Sequence, residues 1–173
     1  MTFQRIWHIY GAFLRGLGLI AGFATVAMAA LVVSNVLSRY LFNTPVAGAF
    51  ELSESLLVVI VFMSLALTQH ADGHIRVILL TRRLPPYLAR ITHIFTLVIG
   101  AAFFAWGSYA AWGFAMESYA INEQRWSSIS YPLYPVKFVL FFGLVLLSVQ
   151  YVLSALKEVY RDQFESDLSE ETD

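Results

Sequence analysis

The chain has 173 residues, 58% of them hydrophobic and 13% charged, with a mean hydropathy of +0.66. An average soluble domain carries about 25% charged residues, so this balance excludes a water-soluble globule and points to an integral membrane protein. The formal net charge of −1 offers no basic field to nucleic acid, and the absence of cysteine excludes disulfides, thiol catalysis, Cys-ligated zinc and iron–sulfur clusters.

Four stretches lack Asp, Glu, Lys and Arg: Gly16–Ser38, Ser55–Ala71, Ile91–Met116 and Phe138–Leu156. About 20 apolar residues cross a bilayer core. The sequence therefore predicts an all-α membrane protein with four transmembrane helices, at about 16–38, 50–71, 89–115 and 134–157. They form a single membrane domain over residues 1–160, followed by an acidic, disordered tail over 161–173.

The first helix follows the basic lead Arg5 and Arg15. Ala27-Met28-Ala29 has the small-x-small form of a signal cleavage site, but the apolar run continues through Leu31–Leu37. A signal core spans only about 7–15 residues, so a retained helix is expected. Gly18 and Gly22 stand at the spacing that lets helices approach closely in lipid. Asn43-Thr44-Pro45 then marks a turn.

The second helix opens with Glu51 and Glu54, which share one face and oppose the positive end of the helix dipole. They read either as an ion or proton site or as a cap in a structural salt bridge with Arg39 at the end of the preceding helix. Asn35 lies one turn below Arg39 and is placed to hold its guanidinium or the neighbouring backbone. The middle loop carries His74, Arg76, Arg82 and Arg83 before Pro85-Pro86. Residues 75–84 fit an interfacial helix on one reading and an irregular loop on the other.

The third helix repeats small residues at Gly107, Ala111 and Ala115. These, with Gly18 and Gly22, serve packing within the unit or docking to a second membrane protein. The third loop, Glu117–Val136, carries Trp126, Tyr131 and Tyr134 as an interfacial aromatic belt. The fourth helix is rich in Phe and Leu.

Orientation follows from Lys and Arg. Arg5, Arg15, Arg76, Arg82, Arg83, Arg90, Lys157 and Arg161 fall on one side, eight in all; Arg39, Arg125 and Lys137 fall on the other, three in all. Eight against three places both termini and the middle loop in the cytoplasm.

The deepest polar groups of the spans are modest: Ser34, Asn35, Thr68, Ser108, Ser148 and Gln150. Carriers and pumps need ionisable groups deep in the membrane. Their absence here argues against a self-sufficient ion-coupled carrier and against a membrane enzyme. No catalytic residue, metal site or cofactor is expected. Two alternatives stay open. One is a cytochrome b-type anchor that uses His70 and His93 as haem ligands. The other is a small exporter built on Glu51 or Glu54.

The ordered set Asn35-x-x-x-Arg39, Glu51-Leu-Ser-Glu54, His74-Ile-Arg-Val77 and Leu84-Pro85 resembles the small (DctQ-type) membrane subunit of tripartite ATP-independent periplasmic (TRAP) transporters. Pro132-x-x-Pro135-Val-Lys137, followed by Gly143 and Gln150, is similar to a later part of the same family. The resemblance spans most of residues 15–155. It implies a scaffold subunit in the bacterial inner membrane, packed among membrane lipids against a large TRAP membrane subunit. That subunit would carry out sodium-coupled uptake of an organic acid delivered by a periplasmic substrate-binding protein.

Overall fold

The computed structural model describes residues 2–71, 85–126 and 130–160. Expectations that fall on 72–84 and 161–173 lie outside the described residues. They include the interfacial helix over 75–84, the acidic tail, and His74, Arg76, Arg82 and Arg83.

Among the described residues, four helices are each long and apolar enough to cross a membrane. They are α1 (Thr2–Phe42), α2 (Ala49–His70), α3 (Pro86–Ala120) and α4 (Tyr134–Val159). A short antiparallel hairpin, β1 (Gln124–Trp126) with β2 (Ser130–Pro132), joins α3 to α4. Its register pairs Arg125 with Tyr131.

α1 is longer than the 16–38 expected from its uncharged stretch: it runs 41 residues, about 60 Å at 1.5 Å per residue. The segment before Arg15 contains no Pro and only one Gly, and helical hydrogen bonding simply continues through it. Charge marks where a helix leaves lipid, not where it ends. The hairpin was likewise absent from the expected loop. Three-residue strands, one of them ending in proline, give too short an alternation to read as strands.

The chain runs up and down. At one end, Trp7 of α1 stacks on His70 of α2, and Arg90 of α3 reaches the last carbonyls of α4. At the other end, Asn35 of α1 meets Val46 just before α2, and Tyr119 of α3 meets Tyr134 of α4. Residues 2 and 160 therefore lie at the same end, termed here the termini end; the opposite end is the hairpin end.

Side by side, the helices order as α1–α2–α4–α3. The main interfaces are α3 with α4, α1 with α2, and α2 with α4. α1 and α3 form no comparable interface, so the unit is an open row of helices with two broad faces. In water such a row would close to hide its apolar flanks. In lipid that drive is missing, because acyl chains are as apolar as the side chains themselves. The core is correspondingly thin: Leu14, Leu17 and Ala21 of α1, Met63 and Ala66 of α2, and Leu146 of α4. On the outer helices Leu19, Phe23 and Tyr109 are each 78% exposed.

Candidate functional site

Two polar sites interrupt the apolar row, one at each end. At the hairpin end, the α1–α2 turn is tight. Asn43 and Gly48 take positive φ values of 55° and 77°, the left-handed region that these residue types tolerate best. The Asn35 side-chain oxygen accepts a hydrogen bond from the Val46 N–H at 2.9 Å. The Ser38 hydroxyl donates to the Thr44 carbonyl at 2.8 Å. Asn35 thus holds the neighbouring backbone, not the Arg39 guanidinium.

Arg39 is exposed, and among the described residues no ion pair joins it to Glu51 or Glu54. The expected salt bridge is not what fixes this turn. Asn35 and Ser38 fix the turn's geometry through backbone atoms. An arginine at the membrane edge reaches water along its own aliphatic stem.

Glu51 is buried, at 5% exposure, whereas Glu54 is exposed. Both line a small cleft of about 50 Å³ with Ser55 and Val58 of α2, Tyr131 and Leu133 after β1, and Val136 of α4. The β-hairpin forms the lip of that cleft. It is fastened by Lys137, whose ammonium pairs with Glu123 at 2.5 Å and sits 3.6 Å above the Phe114 ring. The Leu133 N–H donates to the Glu123 carbonyl at 3.1 Å. Ser130 and Gln124 close a further hydrogen bond across the strands.

At the termini end, His70 is enclosed by two helices. Its ring stacks on Trp7 with centroids 4.4 Å apart. Its Nδ1 lies 3.3 Å from Oε1 of the fully buried Gln150. The Gln150 amide in turn donates to the Ser154 hydroxyl at 3.1 Å. The Lys157 ammonium lies 4.6 Å from the centre of the Trp7 ring. Gly11 permits the approach, since a Cβ there would come within 2.5 Å of the imidazole. Tyr10 adds a tie from α1 to α4, donating to the Leu146 carbonyl at 2.7 Å. His70 is thus committed to α1 and α4, while His93 is half-buried on α3 at the far side of the row. A ligand pair formed from these two histidines does not match that arrangement. Among the described residues no group of three His, Asp or Glu side chains is placed to hold a metal.

The small residues divide by role. Gly18 packs against the Leu67 side chain and Ala111 is buried at 6% exposure. Gly107 meets only Leu144, at 3.9 Å from a Cβ, and Gly22 faces open space. Backbone meets backbone at Gly143, where a Cβ would come 2.5 Å from the Phe62 backbone oxygen. Its packing role, like the Trp7–His70–Gln150 cluster and the Lys137–Glu123 clasp, is not deducible from spacing. The sequence signals available were an isolated glycine and an isolated glutamine in an otherwise apolar helix.

Four antiparallel helices of membrane length, uncharged through their middles, define a multi-pass membrane protein. Residues 28–161 match the family model described as tripartite ATP-independent periplasmic transporters, DctQ component, and the chain belongs to that family. It is a family of transporter components, not of enzymes. No individual curated protein gives a match.

Proposed function

We propose that this chain is the small scaffold subunit of a TRAP transporter in the bacterial inner membrane. It supports a large membrane subunit in the sodium-coupled uptake of an organic acid, which a periplasmic binding protein delivers. The observation that carries this reading is the uncharged middle of every span. Coupling to an ion gradient requires ionisable or polar ligands within the membrane, and those must then come from another chain.

The open row supports the same division of labour. It leaves two broad helical faces available to a larger neighbour, and Gly22 on α1 has room for a close helix approach. In this reading both termini and the loop with His74, Arg76, Arg82 and Arg83 are cytoplasmic. The hairpin end, with Arg39, Glu51 and Glu54, faces the periplasm and takes part in the approach of the binding protein.

The test is reconstitution in proteoliposomes with a sodium gradient, using the chain alone, the large subunit alone, and both. The expected result is a stable complex of the two membrane chains, with uptake only when both are present. Sodium-driven uptake by this chain alone would overturn the proposal.

A further inference from the structure

The part of α1 that precedes its uncharged stretch is amphipathic in an unusual place. Gly11 is level with His70 at the end of α2, so the first turns of α1 extend past the neighbouring helix. Trp7 faces inward, onto His70. Arg5, His8 and Arg15 are all exposed and recur at helical spacing along one outer strip. Beside that strip runs a second one of Ile6, Ile9 and Phe13, exposed at 48%, 62% and 46%.

The apolar strip continues into Ile20, 54% exposed, on the same side of the helix. Exposed isoleucines in successive turns beyond the hydrocarbon core would be unfavourable in free water. The cationic strip also lacks a counter-charge on its own element, since α1 contains no Asp or Glu. Neither Arg5 nor Arg15 forms an ion pair among the described residues.

We infer that the first turns of α1 lie in the headgroup layer and bind anionic phospholipid. Ile6, Ile9 and Phe13 dip to the acyl boundary, as in interfacial amphipathic helices, while Arg5 and Arg15 contact lipid phosphates. Two features favour lipid over a protein surface. The apolar strip is continuous with the face that meets acyl chains lower on the same helix, and the flanking charges are all of one sign. This reading is independent of the transport role and of which side of the membrane the termini occupy.

The full-length chain is reconstituted in nanodiscs of phosphatidylcholine containing a minor fraction of phosphatidylglycerol, and retained lipid is measured by native mass spectrometry. A juxtamembrane arginine contributes about a fivefold preference for anionic lipid. The wild type should therefore retain phosphatidylglycerol over phosphatidylcholine by at least that factor. Arg5→Gln with Arg15→Gln should abolish most of the enrichment, and Arg5→Lys with Arg15→Lys should keep it. In parallel, a fluorophore on Ile9→Cys, introduced into a naturally cysteine-free chain, should be quenched by lipid-borne and not by aqueous quenchers. Equal enrichment in the glutamine variant, or a water-accessible label at position 9, overturns the inference and leaves this surface to a protein partner.

Discussion

Asn35 illustrates how a single side chain replaces a salt bridge as the fixing element of a turn. Its amide oxygen satisfies the Val46 N–H where the chain reverses between two spans. Asn35→Ala removes that acceptor. Because the turn is exposed, water takes over part of the bond, and the expected loss is about 0.5–1.5 kcal/mol. Asn35→Asp retains an acceptor and should stay near wild type. Arg39→Ala should leave the melting temperature of the isolated chain unchanged. Thermal unfolding of the three detergent-solubilised variants checks all three outcomes. Glycines at other positions divide in the same physical way. Gly143→Ala drives a methyl group into a carbonyl of the α2 backbone, which cannot rotate aside, and should cost about 1–3 kcal/mol, as overpacking does. Gly22→Ala meets only open space and should not alter the stability of the chain by itself. In the proposed complex, a weakened copurification of Gly22→Leu with the large subunit would place Gly22 at that interface.

Elements here take their lengths from different causes. α2, with 22 residues, is about 33 Å long and matches a bilayer core. α1 and α3 outrun it because nothing in their sequences stops a helix: Pro86 begins α3 at a position where proline is tolerated, and no later proline follows until Pro132. The β-hairpin depends on tertiary support, since a two-stranded ribbon of this length is not stable alone. Lys137 supplies that support through Glu123 and Phe114. Lys137→Met keeps the apolar stem and removes the charge. A hydrogen bond to a charged group contributes about 1.5–3 kcal/mol, so amide exchange at Leu133, whose N–H donates to the Glu123 carbonyl, should accelerate by roughly tenfold or more. Exchange in the middle of α2 should not change. Equal exchange at the hairpin in both proteins would show that Lys137 does not hold it.

At the scale of the whole molecule, the open row and the charge distribution govern how the chain sits in the membrane. The even number of crossings brings residues 2 and 160 to one end. The Lys and Arg asymmetry of the sequence predicts a cytoplasmic location for that end. Single cysteines at Arg83 and Asn43 test this assignment. A membrane-impermeant maleimide applied to spheroplasts should label the cysteine at position 43 and leave position 83 unlabelled until the cells are lysed. The reverse pattern would invert the topology and move Arg39, Glu51 and Glu54 to the cytoplasmic face.

The number of crossings and the uncharged character of their middles were legible in the sequence, because a bilayer core tolerates few charges and Arg15, Arg39, Arg90, Glu117, Lys137 and Lys157 bracket the spans. Family membership was legible too, because Asn35, Arg39, Glu51, Glu54, Gly143 and Gln150 stand in a fixed order along the chain. Which helix neighbours which was decided only by the tertiary structure. A soluble helix marks its inner face with an apolar stripe, whereas these helices are apolar on all sides, so no stripe points from α2 toward α4. The candidate site was half visible for the same reason. Glu51 and His70 stood out as polar residues, but their surroundings come from distant segments. Tyr131 and Leu133 close over Glu51, and Trp7 and Gln150 enclose His70; those contacts exist only once the row has assembled.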